Sequence, residues 1–139
     1  MIQLNKELSY PISETLFVFA LDSEAGKVFD HTRKLITGIG KVNAAIALTK
    51  AIREKKPKLI VNLGSAGGNG FKKGEIICCT QFIQRDMDAQ GLGFKKFETP
   101  LSGIPIILEN GLKMDNLKEG VCGSGQFFLF QLLSKLKQR

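Results

Sequence analysis

The 139-residue sequence has a single histidine, only three cysteines and no long apolar run, and each scarcity removes a class of protein. A membrane span needs roughly 18 or more consecutive apolar residues, whereas the strongest runs here, such as residues 16–21, are far shorter. No segment is expected to cross a bilayer. Residues 1–10 place Lys6 and Glu7 among polar neighbours, with no apolar stretch leading to a small-residue cleavage site, so a cytoplasmic rather than a secreted chain is expected. The cysteine count is odd, and adjacent Cys78 and Cys79 with a distant Cys122 suit neither a disulfide framework nor a tetrahedral metal site. All three read as buried, reduced thiols. His31 has no evident orienting acid and Gly-x-Ser-x-Gly is absent, which excludes a serine hydrolase and leaves His31 as a partly exposed turn residue.

What is present is an ordinary globular composition, 43% hydrophobic, 24% charged and 8% aromatic, at a length typical of one domain spanning 1–139. Twenty Lys and Arg against thirteen Asp and Glu leave a net charge of +7. The basic residues are dispersed in pairs (Lys55 and Lys56, Lys72 and Lys73, Lys95 and Lys96), with a modest cluster at 135–139 and no interleaved aromatics. That pattern fits solvated helix faces and turns better than a nucleic-acid surface, so no nucleic-acid partner is expected. A basic nucleic-acid-binding domain is the rival this reading sets aside, and steep salt dependence of DNA or RNA binding would be its signature.

Along the chain, residues 16–21 form a continuous β-prone run that fits a strand covered on both faces, followed by a turn-forming stretch at 22–26. Residues 27–29 suggest an edge strand, and 33–37 another strand running into Gly38-Ile39-Gly40. From 41 to 55, Val42, Ala45, Ile46, Leu48, Ala51 and Ile52 recur at helical spacing, with basic residues gathered at the C-terminal end where the helix dipole favours them. Pro57 ends that helix, and 58–63 read as a second buried strand. The unit is βαβ-like, the building block of largely parallel α/β sheets. Residues 64–70 make a glycine loop, 75–83 an extended strand or two, 86–98 a surface excursion, 104–108 a short strand at best because of Pro105, and 119–125 a strand-to-loop transition. The tail, 126–139, is apolar and then basic, and helix-compatible.

In an open α/β sheet, ligands collect beyond the carboxyl ends of the strands, which is where both glycine loops fall. Gly38-Ile39-Gly40 lacks the third glycine of a dinucleotide fingerprint, Asn43 or Ala44 standing there instead, and no Gly-Lys-Ser or Gly-Lys-Thr follows either loop. Gly64-Ser65-Ala66-Gly67-Gly68 offers a hydroxyl and several unobstructed amides; the bland alternative is a tight turn. Glu24 is a candidate acid or base if its loop is partly desolvated, and read alone it is equally a surface carboxylate.

Four motifs in order carry a resemblance: Ala20-Leu21-Asp22-Ser23-Glu24 after an apolar strand, residues 37–45 (Thr-Gly-Ile-Gly-Lys-Val-Asn-Ala-Ala), residues 62–68 (Asn-Leu-Gly-Ser-Ala-Gly-Gly), and Lys73-Gly74-Glu75-Ile76-Ile77. Together, over about residues 16–124, they resemble the N-terminal half of the 5′-methylthioadenosine/S-adenosylhomocysteine nucleosidases of the purine nucleoside phosphorylase superfamily. The resemblance implies a three-layer α/β sandwich around a central mixed β-sheet, incomplete at the C-terminus, usually a homodimer, hydrolysing the N-glycosidic bond between adenine and a 5′-thio-ribose with no metal or organic cofactor. Glu24 then corresponds to the carboxylate that activates water and Ser65 to the hydroxyl that positions it. Leu21 stands beside the ribose, Ala66 and Gly67 along the base, and Phe128 where an aromatic stacks on the purine. No arginine-bearing phosphate loop precedes Phe17, which favours hydrolysis over phosphorolysis.

The departures lie at the end. The family has an acidic residue where this chain has Gln126, then a Met-Glu strand that clamps the ribose and a Ser-Asp pair whose aspartate protonates the leaving adenine. Nothing in 126–139 corresponds to them, so the expectation is a truncated or frame-disrupted member. The competing expectation is a catalytically inactive remnant or nucleoside-binding module, with marginal stability and tail residues Phe127, Phe130, Leu132, Leu133 and Leu136 left to cover an open sheet edge.

Overall fold

A computed structural model describes residues 1–109 and 111–125. The chain divides into two compact units, Met1–Cys78 with Leu112–Glu119, and Cys79–Gly111 with Gly120–Arg139.

The first unit is built on β3 (Thr15–Phe19), which follows the short antiparallel pair β1 (Ile2–Gln3) and β2 (Ser9–Tyr10). Every residue of β3 is buried, as a continuous apolar run requires. It is the middle strand of a parallel three-stranded sheet, with β4 (Arg33–Ile36) on one side and β5 (Leu59–Asn62) on the other. Alternation along β3 sends its side chains to two faces. Leu16 and Val18 pack under α2 (Lys41–Lys55), against Ala51 and Leu48 with Leu35 beside them. Phe17 and Phe19 face the other way, where Ala25, Phe29, Val61, Leu63 and Ile2 cover them, each ring centred 5.0 Å from that of Phe29. Thr15 is fully buried, and its hydroxyl donates to the Pro11 carbonyl at 2.8 Å, so its polar atom carries no unmet hydrogen bond.

The helix expected at 41–55 forms with those bounds. Arg33 closes its C-terminal end by donating to the Lys55 carbonyl at 2.6 Å, where a cation also meets the negative end of the dipole. The apolar positions divide between two faces. Leu48 and Ala51 meet the sheet, whereas Val42 (64% exposed) and Ile46 (66% exposed) point outward.

Three expectations need correction here. Residues 27–29 form a single helical turn, with the Asp30 amide donating to the Lys27 carbonyl, rather than an edge strand. The turn at 22–26 is one turn of helix, α1 (Asp22–Ala25). The strand read as buried at 58–63 is β5, which pairs only with β3 among the described residues and in which Leu59 alone is buried.

The second unit carries most of the sheet of β6 (Ile77–Gln84), which is flanked by β7 (Ile107–Leu108), antiparallel to it, and by β8 (Lys118–Ser124), the first two residues of β6 and of β8 belonging to the first unit. Gly111 lies flat on β6. Its amide donates to the Thr80 carbonyl at 3.3 Å, and a methyl group there would run into the Cys79 carbonyl oxygen and come within 2.6 Å of the Thr80 Cα. Cys78, Cys79 and Cys122 form no disulfide among the described residues, and all three are half-buried rather than buried.

Candidate active site

The parallel pairing of β3 with its two neighbours brings three chain segments out at one end of the sheet. The Leu63 amide donates to the Val18 carbonyl and the Thr37 amide to the Phe19 carbonyl, each at 2.9 Å, so the pairing continues past the strands and sets the loops at 20–24, 37–40 and 63–68 side by side. The Thr37 hydroxyl, donating to the Gly38 carbonyl at 2.9 Å, fixes the start of the middle loop.

Glu24 is the third residue of α1 and reaches back to its start, where Oε2 accepts the Leu21 amide at 3.1 Å. Half of a capping box is thus present, a glutamate satisfying a free amide at the helix entrance. The other carboxylate oxygen points across to the loop after β5. Oε1 accepts both the Ser65 amide at 3.0 Å and the Ser65 hydroxyl at 2.9 Å, joining residues 41 apart in sequence.

These donors decide the charge of the site. The Ser65 amide holds the Glu24 carboxyl below its ordinary range; partial burial acts in the opposite sense, and the Ser65 hydroxyl and the Leu21 and Ala20 amides add to the lowering. Glu24 is half-buried, and hydrogen bonding to the charged form outweighs burial. An ionised carboxylate is able to accept a proton from water, and the Ser65 oxygen, its hydrogen committed to Glu24, keeps lone pairs free to accept one.

Leu21 is 44% exposed at the rim, and it is its backbone amide that engages Glu24. Ala66 and Gly67 are exposed, and nothing lies within 4 Å of a methyl group built on Gly67, which leaves that backbone open to a ligand. Phe128 lies outside the described residues. His31 is exposed, in a turn. Two contributors went unread in the sequence. Gly64 places its backbone against the Glu24 carboxylate, where an added methyl group would touch Oε1 at 3.5 Å. Lys34 pairs with Asp22 at 3.4 Å and Asp30 at 3.0 Å, tying β4 to both ends of the segment that carries Glu24. A separate surface concavity, lined by Ala45, Ile46, Thr49, Lys50, Arg53 and Glu54 on α2, shares no residue with the Glu24–Ser65 pair and brings no comparable acid and hydroxyl together. Among the described residues no cluster of three or more His, Cys, Asp or Glu side chains is arranged to hold a metal ion, and no helix is long and apolar enough to cross a membrane.

A family model described as the phosphorylase superfamily matches residues 31–138. The chain belongs to the phosphorylase superfamily. Among curated relatives, a 5′-methylthioadenosine/S-adenosylhomocysteine nucleosidase of Exiguobacterium is 39% identical over 82 residues, covering 58% of this chain and 34% of the relative. One of Haemophilus influenzae is 30% identical over 141 aligned positions, covering 92% of this chain and 61% of the relative. The chain therefore spans between about a third and three-fifths of these relatives' length.

Solved structures show the same superfamily fold. The Campylobacter jejuni nucleosidase superposes with a TM-score of 0.72 at 18% identity over 91% of this chain and 70% of that one. The Neisseria meningitidis enzyme in complex with methylthio-immucillin-A gives 0.66 at 21% identity, over 89% and 70%. At such identity the likeness establishes the α/β nucleosidase-type fold expected from the motifs, realised in the described residues as separate three-stranded sheets.

Proposed function

We propose that this chain carries the water-handling part of an N-glycosyl hydrolase site for adenine thionucleosides, methylthioadenosine and S-adenosylhomocysteine. The bond network between Glu24 and Ser65 is the observation that supports it most directly. The ionised Glu24 accepts a proton from a water molecule as its oxygen approaches the anomeric carbon, and Ser65 accepts the water's second hydrogen. Holding that water between two fixed groups supplies orientation, and no covalent glycosyl intermediate is needed. Leu21 contacts the ribose, and the open backbone at Ala66 and Gly67 runs along the adenine. The curated relatives of the same name support the substrate class. A homodimeric assembly in the cytoplasm, with no organic or metal cofactor, completes the proposal.

A second reading rests on the same bonds: Glu24 and Ser65, fixed on each other, also suit recognition of a nucleoside with no chemistry performed on it. It is a nucleoside-binding protein without turnover. Adenine release from methylthioadenosine separates the two. Hydrolysis predicts release above the buffer blank that Glu24→Ala lowers by about 10²–10⁴-fold, the usual cost of a positioned acid–base group. Release no faster than the blank, with methylthioadenosine still bound, would leave the binding reading in possession.

A further inference from the structure

Asparagine followed by glycine occurs twice in this chain, at Asn69-Gly70 and at Asn110-Gly111, and the fold treats the two glycine amides in opposite ways. The reaction at issue is intramolecular. The backbone nitrogen of the residue after asparagine attacks the side-chain amide carbon, and glycine favours this because no Cβ shields its nitrogen.

Gly70 satisfies what that attack asks of its surroundings: exposure, an amide outside any hydrogen bond among the described residues, and room to move. It and Asn69 are exposed, lie in a bend of the irregular loop between β5 and β6, and neither takes part in any hydrogen bond among the described residues. Gly70 has a φ of 81°, and nothing stands within 4 Å of a methyl group built on it, so the loop has open space in which to rotate toward the cyclic geometry. Gly111 satisfies none. Its amide is committed to the Thr80 carbonyl and its Cα is pressed onto the backbone of Cys79 and Thr80. Reaction there requires that hydrogen bond to break and the strand contact to open, which adds the free energy of local opening to the barrier.

We propose that Asn69 is a spontaneous modification site, converting to aspartate and isoaspartate in the folded protein faster than the Asn110-Gly111 pair, where the Gly111 amide is engaged by Thr80. The Gly70 nitrogen loses its proton and forms a bond to the Asn69 side-chain carbon. The bond from that carbon to Nδ2 breaks, and the nitrogen leaves with the proton as ammonia. Water then adds to either carbonyl of the five-membered imide, giving aspartate or, with the chain rerouted through the side chain, isoaspartate. No oxidant or metal takes part. Either product lowers the formal net charge from +7 by one, and isoaspartate also lengthens the backbone by one carbon in the loop that carries Ser65.

The test is peptide mass analysis of the intact chain after incubation in mildly alkaline buffer, with isoaspartate detected by enzymatic methyl transfer. The Asn69 peptide is expected to exchange its amide for a carboxyl several-fold faster than the Asn110 peptide, and the two rates are expected to converge in denaturant. Gly70→Ala, and independently Asn69→Gln, should suppress the early isoaspartate and the accompanying acidic band on isoelectric focusing. The proposal is overturned if the folded chain loses both amides at equal rates, if denaturant slows or leaves unchanged the difference, or if the early product persists in both variants. None of these readouts depends on nucleoside hydrolysis.

Discussion

The two compact units are held together internally by different means. All eight buried apolar residues among those described, Leu4, Leu16, Phe17, Val18, Phe19, Ala25, Ala51 and Leu59, belong to the first unit. In the second, β6 is half-buried along its whole length and order depends on backbone fit, as where Gly111 lies on Cys79 and Thr80. The lesson concerns the site. Glu24 and Ser65 are mounted on the unit whose central strand is enclosed on both faces, and a water-handling pair needs a rigid mount, since small displacements of a reacting group cost large factors in rate.

The contrast is broken most forcefully by removing one ring from each unit. Phe19, 1% exposed, should cost about 3–5 kcal/mol on replacement by alanine, through lost transfer energy and the cavity left between Ala25 and Phe29. Phe82→Ala on half-buried β6 should cost less than half of that. Chemical denaturation of the two variants measures both, and equal losses would dissolve the distinction.

A smaller effect examines the second unit's dependence on backbone contact. Gly111→Ala forces a methyl group into β6 and should destabilise by about 1–3 kcal/mol, as overpacking does. Hydrogen exchange is expected to show the loss concentrated in β6 and β7, with β3 unaffected.

Acid should act on the first unit through Glu24. Its carboxyl lies below the ordinary value in the folded chain, so its contribution is present in full above the unfolded-state value and is lost as pH falls through the folded one. Thermal melts from neutrality down to about pH 3 should show native protein losing its advantage over Glu24→Gln across the acidic end of that range. A gap between them that is constant with pH would mean the Ser65 bonds do not favour the charged form.

The smallest effect sharpens the boundary of α2. Lys56 ends the helix in a left-handed conformation, φ 42° and ψ 57°, just before Pro57, a geometry that L-residues adopt at a cost. Lys56→Gly should stabilise by about 0.5 kcal/mol after the added chain entropy of glycine is counted. A lowered melting temperature would contradict it.

Much of this arrangement was open to reading in advance. The unbroken apolar run of β3 announced a strand enclosed on both sides, and helical spacing closed by Pro57 bounded α2. Local pattern misled where partners were hidden. Residues 27–29 look extended because Val28 and Phe29 favour strands, yet a turn lets Phe29 fold over Phe17 and Phe19. Residues 58–63 look enclosed, yet among the described residues β5 pairs on one side only, and no local signal states how many neighbours a strand will find.

The amino-acid order by itself determined the family motifs, the strand and helix segments and the residue types available for chemistry. Tertiary structure alone decided that Glu24 and Ser65, 41 positions apart, share a hydrogen bond, that the carboxylate is held in its charged form, and that one of two Asn-Gly amides is sealed while the other stands open. The reason is physical: periodicity and propensity act over a few residues, whereas convergence, ionisation and protection depend on which distant strands pair, and that is settled only when the whole sheet buries its faces.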